Sequence, residues 1–193
     1  MNNFIWTYKS HDLSDIQKIS DKFSVPKSIA TIMSLKKINN KESSRLFFFN
    51  DLNNLHNPLL MKDMDIAIDR IIKLKNKEDL ILIIGDYDTD GTTGASLLFL
   101  YLKSIDIDVE YYIPNRQKEG YGVSLLAIEY AIKIGAKCII TCDCGITAFE
   151  AIDYANQNKI DVIITDHHKP KKTLPKAIAI LNPHQIDCQY PFK

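Results

Sequence analysis

The sequence predicts an α/β fold: a doubly wound, mostly parallel sheet with helices on both faces, preceded by a small helical N-terminal segment. Three observations lead there. From residue 61 onward, short apolar runs alternate with stretches of helical periodicity, the pattern of repeated strand–helix units. Residues 1 to about 60 differ in kind, being rich in Ser, Asn and Lys and free of glycine. Three of the apolar runs also end in acids or imidazoles. Leu80 to Ile84 leads into Gly85-Asp86-Tyr87-Asp88-Thr89-Asp90-Gly91, Cys138 to Cys142 into Asp143, and Val162 to Thr165 into Asp166-His167-His168. In a parallel α/β sheet the carboxyl ends of the strands face one crevice, where ligands bind.

Taken in order, short amphipathic helices fit Leu13 to Phe23, Lys27 to Leu35 and Lys41 to Phe49. Asn53, Asn54, Asn57 and Pro58 make Asp51 to Pro58 a loop. Residues 1–60 are therefore expected to form a helical segment packed on a main domain spanning 61–193. There, Met64, Ala67, Ile68, Ile71 and Ile72 recur at three- and four-residue spacing and mark a helix. A strand follows at 80–84. Ala95, Leu98, Phe99 and Leu102 mark the next helix, and Val109 to Ile113 a strand stopped by Pro114. Leu125, Ile128, Ala131 and Ile132 mark a helix that Gly135 ends, ahead of strand 138–142. Thr147 and Glu150 form a candidate capping box for a helix running to about Asn156. Strand 160–165 follows, and Ala177 to Leu181 is a candidate last strand.

Composition bounds the function. At 193 residues and 46% apolar, the chain can bury a sizeable core. Lys+Arg and Asp+Glu both number 24, so the broad basic footprint of many nucleic-acid binders is missing. Bound metal would add positive charge at the site itself. No apolar run approaches about 18 residues, so no membrane span is expected, and the polar N-terminus does not read as a signal peptide. Cys138, Cys142, Cys144 and Cys188 lack paired C-x-x-C spacing. They read as small buried thiols of a reduced cytosol, with zinc ligation the lesser reading.

Four to five carboxylates and two imidazoles sharing one crevice repel one another unless cations are present. That points to a divalent-metal site with two ions. The segment Asp86-x-Asp88-x-Asp90-Gly91 matches the first half of an EF-hand calcium loop. Such a loop needs Glu at its twelfth position, here Leu97, and a helix in front rather than a strand. Asp before Gly is also ordinary turn chemistry, yet three alternate aspartates exceed what a turn requires. In extended chain, alternate side chains share a face, so Asp86, Asp88 and Asp90 are expected to project together. Gly91 and Gly94 allow close backbone approach. Thr92 and Thr93 stand where a helix should begin, with free amides suited to phosphate. Carboxylate and imidazole ligands suit manganese, and magnesium tolerates the carboxylates. Two ions about 3.5–4 Å apart stabilise both the attacking and the leaving oxygen of phosphoryl transfer.

The segment Pro114-Asn115-Arg116 with Lys118-Glu119-Gly120-Tyr121-Gly122 reads two ways. Arg116 can reach a phosphate bidentately and Tyr121 can stack on a base, or the stretch is a plain glycine-bearing surface loop. Lys169-Pro170-Lys171-Lys172 offers charge to a nucleic-acid backbone, although short lysine runs are usually solvated surface.

Gly85 to Gly91 (GDYDTDG), Ile113 to Gly122 (IPNRQKEGYG), Asp143 to Ile146 (DCGI) and Thr165 to His168 (TDHH) resemble, in order and spacing, the DHH phosphoesterases. The IPNR and EGYG stretch, Asn182-Pro183 and Tyr190-Pro191-Phe192 narrow the resemblance to the RecJ family, bacterial 5′-to-3′ exonucleases specific for single-stranded DNA. The helical lead-in is similar too, so the resemblance covers nearly the whole chain. It implies metal ligation by Asp88 and Asp90, with Asp86 a ligand or close support. It implies Asp143 as the carboxylate bridging two Mn2+ or Mg2+ ions, His167 as a ligand, and His168 as a contact to the scissile phosphate or a residue that helps orient the site. Asp166 would hold a histidine. The implied chemistry is attack of metal-activated water on a phosphodiester, releasing 5′-mononucleotides, in cytoplasmic DNA repair and recombination. Single-stranded DNA is the implied partner, with a single-strand-binding protein or helicase beside it.

Members of that family run to several hundred residues. They carry a further acidic motif, a DHH-associated second domain and an OB-type module, none of which is in this sequence. The chain is therefore expected to be a fragment with little or no nuclease activity of its own. Robust manganese-dependent digestion of a 5′-ended single strand would refute that. Rival readings are a pyrophosphatase of the same superfamily, a phosphodiesterase for short oligonucleotides or cyclic dinucleotides, and a non-catalytic binding module. The first uses a histidine ahead of its paired aspartates, where this chain has Ile84. The second usually lacks the helical lead-in and the EGYG loop. The last loses motif aspartates that are present here.

Overall fold

The computed structural model describes Ile5, Thr7, residues 12–49 and residues 51–191. The chain divides into two compact units, Met1–Leu55 and His56–Lys193. The division falls ahead of residue 60 because Pro58–Leu60 forms a 3-10 turn against the first helix of the larger unit. Phe192, which closes the Tyr190-Pro191-Phe192 stretch, lies outside the described residues.

The smaller unit contains α1 (Leu13–Phe23), α2 (Lys27–Leu35) and α3 (Lys41–Phe48). Asp12 caps α1 by accepting the Ser14 N–H, and Asn40 with Ser43 forms a reciprocal capping box on α3. Its core is Ile16, Ile19, Ala30, Met33 and Ile38.

The larger unit runs α4 (Met64–Lys77), β1 (Ile81–Gly85), α5 (Thr89–Ser104), β2 (Val109–Tyr112), α6 (Leu125–Ile134), β3 (Cys138–Cys142), α7 (Phe149–Gln157), β4 (Asp161–Thr165) and β5 (Ala179–Leu181). All four strand pairings are parallel, in the order β2-β1-β3-β4-β5. Two cores cover the two faces. Leu82, Ile84, Ile139, Val162 and Ile164 pack with α6 and α7, while Ile81, Ile83, Cys138, Ile140 and Ile163 pack with α4 and α5. Burial on both faces is why these strands read as unbroken apolar runs rather than alternating ones. The chain leaves β1 for β2 on one side and returns to β3 on the other, so strand order reverses between β1 and β3. Such a switch point opens a crevice at the carboxyl ends. Among the described residues no helix is long and apolar enough to cross a membrane.

Two local expectations are corrected. Helix α5 starts at Thr89, six positions ahead of the Ala95 that begins its apolar pattern, because Asp88 caps it by accepting the Gly91 N–H at 3.1 Å. Helix α7 is capped by Ala148 with no side-chain bond, so Thr147 and Glu150 do not form a capping box.

Candidate metal centre

The sheet ladder continues one residue beyond the strands and lines up the acids. The Asp86 amide donates to the Cys142 carbonyl (3.1 Å), that of Asp143 to Thr165 (3.0 Å) and that of Asp166 to Leu181 (3.1 Å). Three carboxylates thus leave neighbouring strands at one level, over the switch point.

Asp86 is fully buried, and neither of its carboxylate oxygens has a hydrogen-bond partner. Asp86, Asp88 and Asp143 each bring an oxygen within 4.8 Å of the others. The expected shared face of Asp86, Asp88 and Asp90 is corrected in part. Asp90 sits in the first turn of α5, not in extended chain, and faces the crevice from the groove it lines with Asp143. Thr92 and Thr93 lie inside the helix, and the Thr92 amide already bonds the Asp88 carbonyl at 3.0 Å, so neither offers a free amide at a helix start. Close approach belongs to Gly85 and Gly91. A Cβ at Gly91 would stand 2.5–2.7 Å from the Asp86 backbone, whereas one at Gly94 would meet only Cys142 at 3.8 Å.

Asp143 adopts a left-handed conformation, φ +62°, which non-glycine residues hold at a cost of about 1–3 kcal/mol. The turn is tied by Thr141 Oγ1 donating to the Cys144 carbonyl at 2.7 Å. Its Oδ1 is buried without a hydrogen bond. His167 Nε2 lies 2.8 Å away, an ion pair when that imidazole is protonated. Burial, then the negative charge of Asp90, raises the Asp143 pKa against the opposing pull of His167. Asp143 also belongs to a second cluster, with His167 and His168, whose ligand atoms again lie within 4.8 Å. It is the residue common to both.

Asp166 is fully partnered instead. Its Oδ2 accepts the Ile146 N–H at 2.9 Å. Its Oδ1 accepts the His168 N–H at 2.9 Å and lies 2.7 Å from His168 Nδ1. Burial alone would lower the His168 pKa, but the Asp166 bond and the charges of Asp166, Asp143 and Asp86 raise it. Both Asp166 oxygens thus have donors already, and the carboxylate holds the His168 ring. Asp166→Asn removes the adjacent negative charge and is expected to lower the His168 pKa, read by an NMR pH titration.

Arg116 is exposed, its guanidinium 5.2 Å from the Tyr87 ring centroid. Tyr121 is hydrogen-bonded to His168 Nε2 at 2.8 Å. Sequence reasoning missed two supports. Glu119 pins the loop by accepting from Asn115 N, Tyr112 Oη and Ser124 Oγ. Asn182, fully buried, donates to the His168 carbonyl at 2.9 Å. The half-buried acid in one motif and the Asn-Pro after β5 were visible, but nothing local named their targets. The four cysteines are buried and unpaired. Burial pushes Cys138 up to about 12 and Cys142 to about 11. Neither metal cluster includes a cysteine. Lys171 lies over the Phe149 ring at 5.3 Å.

Comparison with known proteins follows the same residues. The family described as "DHH family, N-terminal domain" matches residues 80–190. The single-stranded-DNA-specific exonuclease RecJ of Bacillus subtilis (strain 168) is 36% identical over 188 residues, 97% of this chain and 24% of that protein. The protein of that name from Escherichia coli (strain K12) is 41% identical over 114 residues, 58% of this chain and 20% of that protein. A crystal structure of an exonuclease RecJ bound to manganese superposes with a TM-score of 0.64 at 31% identity, covering 72% of this chain and 35% of that one. The chain thus spans about a quarter or less of the length of these curated relatives.

Proposed function

The chain belongs to the DHH family, and from that premise we propose that it is the cation-binding part of a RecJ-type exonuclease that hydrolyses single-stranded DNA from the 5′ end. One observation carries the reading: both oxygens of Asp86 are buried and unpartnered, and they cluster with Asp88 and with Asp143, whose own buried Oδ1 has the His167 ring nitrogen 2.8 Å away. Buried carboxylate oxygens without donors are costly, and a hard divalent cation is the partner that carboxylates of this density suit. The likeness to exonucleases named for single-stranded DNA, one of them bound to manganese, supports the same reading.

Asp86, Asp88, Asp143 and His167 would hold two Mn2+ or Mg2+ ions, with Asp90 facing the same groove. Bound there, the ions would supply Lewis-acid chemistry, drawing charge off a phosphoryl group and lowering the pKa of nearby water. Asp143, common to both clusters, would serve both ions. His168, tethered at Nδ1 by Asp166 and beside Asp143, would meet the scissile phosphate or help orient the site. Arg116 meets the phosphate backbone and Tyr121 offers its exposed ring to a base. The setting is cytoplasmic DNA repair and recombination, and the family resemblance adds a single-strand-binding protein or helicase as partners.

Calorimetric titration of the purified chain with Mn2+ tests the cation site, and saturable binding is the expected result. At a hundred times Kd, binding should stabilise the fold by about 2.7 kcal/mol, read as a rise in Tm over the chelator-treated protein. A flat titration with an unmoved Tm rejects the reading. Residual hydrolysis, expected to be low, should favour a long 5′-ended single strand over a dinucleotide or pyrophosphate. The reverse order would point to a small-substrate phosphodiesterase.

A further inference from the structure

The resting structure engages both nitrogens of the His168 ring. Nδ1 is 2.7 Å from Asp166 Oδ1, and the Tyr121 hydroxyl lies 2.8 Å from Nε2 and 3.3 Å from Nδ1. A carboxylate only accepts, so Nδ1 carries a proton and Nε2 faces the hydroxyl. Asp166 alone fixes the ring at Nδ1 and leaves the Nε2 corner free to rock. The hydroxyl supplies the second anchor, closer to Nε2 than to Nδ1.

The segment that delivers Tyr121 is built as an arm. Glu119 accepts from Ser124 Oγ and from the Asn115 amide, closing the base of the loop so that residues 120–123 project from it. Gly120 and Gly122, on either side of Tyr121, take φ of +79° and +87°, and a Cβ at either would meet nothing within 4 Å. Glycine is needed there for backbone conformation rather than for room. At the tip, the Tyr121 ring stands edge-on to Tyr87 (6.3 Å, 86°) and to His168 (5.6 Å, 82°). These contacts connect the first acidic motif to the last, reaching the second cluster at His168.

We propose that Tyr121 is a positioning residue for His168, its hydroxyl carried on a two-glycine arm and fixing the imidazole in place beside Asp143. The proposal rests on the nuclease reading for the purpose of His168. The contact itself can be tested without any cation or substrate. Base stacking needs the ring of Tyr121, and positioning needs its hydroxyl, so Tyr121→Phe separates the two.

The test is long-range 1H–15N spectroscopy of the whole chain labelled at histidine nitrogen, recorded without added cation. Tyr121→Phe should shift the His168 Nε2 resonance most, His168 Nδ1 by less, and leave both His167 nitrogens in place. Glu119→Gln, which loosens the base of the arm but keeps the hydroxyl, should shift the same resonance in the same direction by less. An unmoved Nε2 in Tyr121→Phe overturns the proposal, as does a shift spread equally over both histidines. On a single-stranded substrate with Mn2+, kcat should fall about tenfold in Tyr121→Phe, the size of one lost hydrogen bond, with KM unchanged. A raised KM at constant kcat would place the hydroxyl's role in substrate binding rather than in holding His168, and also overturns it. If Mn2+ fails to bind the chain at all, the nuclease reading falls while the spectra still decide the Tyr121–His168 contact.

Discussion

Asp143→Asn should empty both cation clusters at once. Asp143 is the residue they share, and its Oδ1 is buried without a hydrogen bond. Losing a support residue of a metal ligand typically weakens binding about 10- to 100-fold, so loss of a shared ligand should exceed that range. Calorimetry with Mn2+ is expected to show no saturable heat. The cation-free protein should behave in the opposite way. Burial and the Asp90 charge raise the Asp143 pKa, so at neutral pH its ionised form is held in the folded state at a loss of stability. Below the ordinary carboxylate range the group is protonated in both states and that loss vanishes. The neutral variant should therefore melt above the parent in chelator at pH 7, with the gap closing as pH falls. A variant that still binds Mn2+ with parental affinity would remove Asp143 from the site.

Gly91→Ala should be the most damaging of the small substitutions. Alanine is favoured over glycine within a helix by about 1 kcal/mol, and α5 begins just before this position. Against that gain, the new Cβ would stand 2.5 Å from the Asp86 carbonyl oxygen and 2.6 Å from its nitrogen. These are backbone atoms at the end of a central strand and cannot swing away. Overpacking of this kind costs about 1–3 kcal/mol and sometimes more, so the clash wins. It should lower Tm and weaken Mn2+ binding together, because relief displaces Asp86. Gly94→Ala is the control. With its nearest neighbour at 3.8 Å, it should gain the helix preference and raise Tm slightly. Equal Tm values for the two variants would show that close packing of α5 on Asp86 is not what position 91 requires.

These predictions mark where local pattern ends. The elements from α1 to β5 fell close to the apolar periodicities, and the acids after β1, β3 and β4 met in one crevice, because a parallel sheet sends like ends to like places. What failed was finer. The aspartates after β1 were expected in extended chain, but Asp88 turns its carboxylate onto the Gly91 amide and starts the helix there, which moves Asp90 into a helical turn. Thr147 had the spacing of a cap and none of its geometry. A capping pattern states which bonds are available. Whether they form depends on how the preceding turn enters the helix.

Strand periodicity and the chemistry at the strand ends were set by the amino-acid sequence, because burial on both faces demands unbroken apolar runs and a cation pocket demands acids. The partners of each side chain were decided only by the tertiary structure. Asp86 and Asp166 look alike as acids following buried strands, yet Asp86 is left without a donor while Asp166 accepts from Ile146 and from His168. That difference arises from a backbone turn at one strand end lying beside another. Such a contact joins residues far apart in the chain, and no local spacing encodes it.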